Sequence, residues 1–180
     1  MTGSESELRT VAAEDLRACM RLFPTGVALL TAGEGDSAMG MTINSVVSVS
    51  LSPPTLLVSV HQYARIAGRL VPGAEFSVSF LSADQAGLTR QFASADRPAG
   101  EAAVVAMGGA RGANGVPFPV GAVGVLECLV DRTVPVGDHN LVIGLVVRAE
   151  LGLADCSPQV FHCGELTTVH SADRPIDAST

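Results

Sequence analysis

Thr42, Asn44 and Ser45 place two hydroxyls and a carboxamide within four consecutive residues, with the backbone of Ile43 between them. Short groups of this kind donate and accept at close range, which suits a planar heteroaromatic ring with carbonyls and nitrogens along its edge. A polar rim on an ordinary β-hairpin would show the same residues. Far downstream, Asp138 precedes His139 in the turn Pro135-Val136-Gly137-Asp138-His139, so a carboxylate stands ready to orient an exposed imidazole. The same pair could serve only to stabilise the turn. Arg65 supplies charge for an anion, and Arg90 and Arg97 flank Phe92-Ala93 from positions where either could reach a phosphate or lie in solvent.

The elements around these groups are mostly strands. Val46, Val47, Val49 and Leu51 suit one strand over 45–51, and Leu56, Leu57, Val58 and Val60 another over 55–60, separated by Pro53-Pro54. The turn Gly33-Glu34-Gly35-Asp36 joins strands over 27–32 and 38–42 into a hairpin. Phe76, Val78 and Phe80 alternate with Glu75, Ser77 and Ser79, which predicts a half-buried strand over 75–81. Long strands follow over 122–133 and 141–151, joined through the turn that carries His139. Leu16, Cys19, Met20 and Phe23 fall at i, i+3, i+4 and i+7, predicting an apolar face on a helix over 12–22 that Pro24 ends. Shorter helices are predicted over 63–71 and over 83–92, the latter with Ser82 as N-cap and Leu88 and Phe92 as an apolar pair. The Gly-, Ala- and Pro-rich stretch 93–119 reads as a long excursion with a short apolar run at 102–107. Seven or more strands with few helices favour a closed antiparallel barrel, because closure leaves no exposed edge.

Composition excludes several chemistries. All 11 basic residues are arginine, so a Schiff-base lysine and a P-loop lysine are both impossible. A net charge of -7 without a basic stripe argues against nucleic acid. No apolar run approaches the roughly 18 residues of a membrane span, and the first residues are polar and acidic, so a cytoplasmic protein without a membrane partner is expected. Cys19, Cys128, Cys156 and Cys163 form no C-x-x-C pair and read as buried, inert thiols. His162 and Cys163 on a strand would face opposite ways, so no metal is expected. His61, His162 and His170 read as structural or surface residues. There is no G-x-G-x-x-G before a helix and no G-x-S-x-G elbow.

Four segments, taken in order, resemble the flavin reductase-like family with the FMN-binding split-barrel fold. They are Phe23-Pro24-Thr25-Gly26-Val27, the run from Gly40 to Val60, Gly137-Asp138-His139-Asn140, and Pro158 to Gly164. The resemblance covers 16–166. It implies a mainly β chain: a closed antiparallel split barrel of Greek-key type with a few short peripheral helices. The domain would span 12–170, with a flexible segment at 1–11 and a disordered tail at 171–180. The resemblance also implies binding of FMN or FAD by Thr42, Ile43, Asn44, Ser45, Ser48, Ser50, Arg65 and Phe92. It implies NADH or NADPH as hydride donor, and a role for His139 beside the reacting rings. It further implies a homodimer that hands reduced flavin to a separate oxygenase. The chain departs from the family at Ala64-Arg65-Ile66, where hydroxyl residues usually flank the cation that grips the flavin phosphate. Losing two such bonds weakens binding by about one to two orders of magnitude. Two alternatives stay open: a flavin- or haem-binding accessory protein of the same fold, and an oxidoreductase with a tightly held flavin whose organic substrate enters by way of 93–119.

Overall fold

A computed structural model describes residues 10–152 and 156–169. The chain opens with α1 (Ala13–Met20), followed by β1 (Thr25–Gly26), β2 (Ala28–Ala32), β3 (Met39–Ile43), β4 (Val46–Leu51) and β5 (Pro54–His61). Next come β6 (Glu75–Phe80), α2 (Ala86–Ala93) and α3 (Glu101–Ala106). The long strands β7 (Gly124–Val136) and β8 (His139–Leu151) follow, and then β9 (Gln159–His162) and β10 (Glu165–Thr168). The strands form a seven-stranded antiparallel sheet in the order β3-β2-β6-β7-β8-β5-β4 and a three-stranded sheet in the order β1-β9-β10.

The large sheet curls because strands near its two edges share one core. Ile43 and Met41 of β3 pack in the same cluster as Val58 and Val60 of β5, with Leu30, Phe76, Val78 and Val130 between them. Gly144 permits the tightest approach in that cluster, since a Cβ there would lie 2.4 Å from Cζ of Phe76. Among the described residues β3 and β4 are the edges and no ladder joins them, so the mainly β architecture stands without the closure expected of it. The outer face of β2 carries a second core, in which Val27, Leu29, Leu81 and Phe92 meet Ala103 and Met107 beneath α2 and α3.

Several sequence expectations change in physical detail. Strand β6 is covered on both faces rather than half-buried: Ser77 and Ser79 are as buried as Phe76 and Val78, while Phe80 is partly exposed. α3 and the loop behind it roof the polar side, and that roof is built from the Gly- and Pro-rich excursion, whose weak periodicity hid it. The helix expected over 63–71 reduces to a single 3-10 turn at Ala67–Arg69, because Ile66 and Leu70 sink into the core. The apolar face of α1 is real, but Leu16, Met20 and Phe23 all face solvent and no residue of α1 is buried. Cys19 and Cys163 are exposed, so only Cys128 fits the expectation of a buried thiol. The 171–180 tail, most of the 1–11 segment and His170 lie outside the described residues.

Candidate functional site

Three sequence-distant segments meet at one end of the sheet. Thr25 and Gly26 pair with Phe161 and Val160, which ties β1, the lead-in to β2, onto β9. Asn44 Nδ2 donates to the Thr25 hydroxyl at 3.2 Å, so the polar junction after β3 is tied to the same point. Thr42 Oγ1 donates to the Thr89 carbonyl at 2.8 Å, holding the end of β3 against α2. From the other side the Thr89 hydroxyl lies within hydrogen-bond distance of the buried Gln159 side-chain carbonyl, which fixes α2 to β9.

Between these ties lies an open cleft of about 670 Å³, lined by Thr42, Ile43 and Asn44 on the floor and by Thr89, Arg90 and Ala93 along α2. Phe161, Gly164, Glu165 and Leu166 of the β9–β10 hairpin close the remaining side. Volume and lining match a small-molecule site: apolar walls, a few converging polar groups and one guanidinium. Gly164 is required at the hairpin turn by its φ of +90°, a conformation that L side chains rarely adopt.

Ser45 borders this floor from behind. Its hydroxyl donates to the Ser59 carbonyl at 2.9 Å, and its own carbonyl accepts from the Ser59 N–H. His61 lies two residues further along β5, about 7 Å at ordinary strand rise. There it pairs across the ladder with His139 of β8. His139 Nδ1 is 2.7 Å from Asp138 Oδ1, and His61 Nε2 is 3.8 Å from Asp138 Oδ2. The hydrogen bond from His139 is the first cause holding the Asp138 carboxyl below its ordinary value, the charges of His139 and His61 adding to it. The sequence marked His139 and Asp138. It missed His61, whose position opposite His139 follows only from the β5–β8 register.

The other sequence-named residues fall elsewhere. Ile43 is the exception: it lines the cleft floor, yet it is buried and packs in the main core. Ser48 and Ser50 lie on edge strand β4 away from the cleft lining, and Ser50 Oγ accepts from the Ser52 N–H. Phe92 has no exposed surface and packs beneath Gly40, so it supports the cleft from below. Arg65 donates to the Arg97 backbone carbonyl at 2.7 Å, and the Arg97 guanidinium donates to the Ser94 carbonyl at 3.0 Å. Burial first, and the Arg65 charge second, lower the Arg97 guanidinium from its ordinary value. Neither arginine is ion-paired among the described residues, so the pair can attract an anion. Ile66, expected beside a phosphate, instead points into the core at 1% exposure, and Ala64 packs against that core. His162 and Cys163 do not face opposite ways: the chain turns at Cys163, φ +52°, and brings Sγ to 3.4 Å from Nε2. No group of three metal-ligating side chains exists among the described residues.

A family model described as "Flavin reductase like domain" matches residues 20–170. The NADH-dependent FMN reductase AsuE2 of Streptomyces nodosus subsp. asukaensis is 39% identical over 155 residues, covering 86% of this chain and 84% of that protein. BorF, the flavin reductase component of a bacterial two-component tryptophan halogenase, superposes with a TM-score of 0.80 at 35% identity, covering 91% of this chain and all of that one. The NADH:FAD oxidoreductase SgcE6 of Streptomyces globisporus C-1027, solved with NAD and FAD fragments, gives a TM-score of 0.74 at 32% identity, covering 96% and 99% of the two chains.

Proposed function

The chain belongs to the flavin reductase-like domain family, and from that premise we propose how its own residues serve the activity. It is an NADH-dependent flavin reductase that supplies reduced FMN or FAD to a separate flavin-using oxygenase. The observation that carries this reading is the cleft in which Thr42 and Asn44 face Arg90 and Phe161 across about 670 Å³. The residues fit a flavin ring: polar groups sit at the floor for its edge, and apolar side chains stand beside them for its faces. The chemistry supplied by the bound pair is hydride transfer from nicotinamide C4 to flavin N5.

The protein's part is position. Thr42, Ile43, Asn44 and Ser45 form the shelf, with Ser48 and Ser50 on the strand that leads away from it. The Thr42–Thr89 bond keeps α2 at a fixed distance from that shelf. Arg65, joined by Arg97, offers the charge that holds a flavin phosphate, a grip made of guanidiniums in place of hydroxyls. Phe92 acts indirectly, by packing under the floor. His139, oriented by Asp138, approaches the nicotinamide side of the reacting pair.

The curl of the sheet around one core supports a split barrel, with residues 12–170 as its single domain. Exposed apolar side chains on α1 (Leu16, Met20), just after it (Phe23) and on β4 (Val47, Val49, Leu51) support a homodimer that covers them. No helix among the described residues is long and apolar enough to cross a membrane, which agrees with a cytoplasmic site of action. Two simple observations test the reading. Purified protein should emerge colourless, with flavin as a released substrate, and NADH oxidation should depend on added FMN, FAD or riboflavin. A yellow protein that oxidises NADH without added flavin would instead place the flavin as a prosthetic group.

A further inference from the structure

The polar end of the β5–β8 ladder holds a second histidine, which no local motif connects with the reaction. His61 and His139 are directly opposite on neighbouring strands, their rings edge to face with centroids 5.2 Å apart at 77°. The Tyr63 backbone N–H donates to His61 Nδ1 at 3.2 Å. A backbone N–H can only donate, so Nδ1 carries the lone pair and the His61 proton sits on Nε2, the nitrogen 3.8 Å from Asp138 Oδ2. Asp138, held in its ionised form, can only accept. His139 therefore carries its proton on Nδ1, donates it to Oδ1 at 2.7 Å, and leaves Nε2 free of any described partner.

We propose that His61 is a positioning residue for His139. It faces the second oxygen of the shared carboxylate at 3.8 Å and stands as a wall beside the His139 ring, so that the ring keeps its Nδ1–H on Asp138 and turns its Nε2 edge to the nicotinamide dinucleotide. The Gln62 N–H donates to the Asp138 carbonyl at 2.9 Å, which anchors the carboxylate between the two rings by its backbone as well. The chain of contacts runs from a fixed backbone donor at Tyr63, through His61 and Asp138, to His139. Outer partners of this kind set tautomer and ring direction in histidine sites. The proposal rests on the reading of His139 as the nicotinamide-facing residue.

The test compares wild type with His61→Ala by two readouts: the 15N shifts of the His139 ring, which report its tautomer, and steady-state KM and kcat for NADH with a fixed free flavin. His61 is exposed enough for the truncation to leave the core intact, with its side chain 45% accessible. The expected result is an Nδ1–H tautomer in wild type, a mixture of tautomers in His61→Ala, and a KM for NADH raised on the order of tenfold with kcat nearly unchanged. Wild-type tautomer and KM in the variant would overturn the proposal. So would a tautomer shift without a KM change, or a KM change without a tautomer shift, because His61 would then not act through His139. Should His61→Ala fail to fold, His61→Phe keeps the ring contact and removes Nε2–H, and the same two readouts decide. A wild type that oxidises no NADH with any flavin would sink the functional reading instead, and the tautomer comparison would distinguish the two failures.

Discussion

Thr42 donates its hydroxyl to the Thr89 carbonyl across 2.8 Å, and this bond sets how far α2 stands from the shelf at the end of β3. Thr89 is in turn fixed to Gln159 of β9, so shelf, helix and hairpin are braced through two adjoining contacts. Thr42→Val keeps the shape of the side chain and removes the donor. It should cost about 1 kcal/mol of stability and weaken flavin binding several-fold, while Thr42→Ser stays near wild type. Fluorescence titration with FMN and thermal melting check this. Unchanged affinity in Thr42→Val would detach the bond from the flavin site.

Ile66 separates the structure from the expectation that a hydroxyl at this position would face a phosphate. Because Ile66 is 1% exposed in the main core, Ile66→Thr buries an unmatched hydroxyl and loses apolar contact. It should destabilise the protein by about 1–3 kcal/mol and bring no gain for FMN over riboflavin. Denaturant unfolding and paired ligand titrations measure both. A selective gain for FMN would mean that position 66 reaches the phosphate after all.

How far the sequence could be read follows from the range of the signals. The hairpin at Gly33–Asp36, the run from Gly40 to Val60 and the Gly137-Asp138-His139 turn are local patterns, and the strands appear where period-2 alternation or continuous apolar runs place them. Strand β6 reads as half-buried because Ser77 and Ser79 look solvent-facing in sequence, yet both are fully buried under a roof from the distant 93–119 segment. His61 carries no local signal for a related reason: only the register between β5 and β8 sets it beside His139. The Arg65–Arg97 contact joins residues 32 apart in sequence and carries no local signature.

Asp138 carries the pH prediction. Its hydrogen bond from His139 lowers the folded-state value below the ordinary 3.8, so the carboxylate gives up its proton more readily folded than unfolded. A lowered carboxyl contributes fully above its unfolded value and loses that contribution as pH falls through the folded one. The Asp138–His139 pairing should therefore persist on acidification to about pH 4 and fail only below it. A 13C titration of the Asp138 carboxyl checks this, and a midpoint at or above the ordinary value would contradict the pairing.

The cysteines divide by environment. Burial first, and the neighbouring Glu127 charge second, push the Cys128 thiol up to about 12, whereas Cys19 and Cys163 are exposed. A thiol reagent at neutral pH should label Cys19 and Cys163 in the folded protein and reach Cys128 only after unfolding, as mass spectrometry of the labelled peptides would show. Rapid labelling of Cys128 in the folded state would mean that the core opens near β7.

The central claim is that this chain turns over free flavin at the expense of NADH, and anaerobic mixing tests it most directly. A catalytic amount of protein is added to excess FMN or FAD with NADH, and the yellow colour of the flavin is followed in the absence of oxygen. The account predicts many equivalents of flavin bleached per protein, with one NADH consumed for each. Bleaching limited to one equivalent per protein, or none with either flavin, would contradict it.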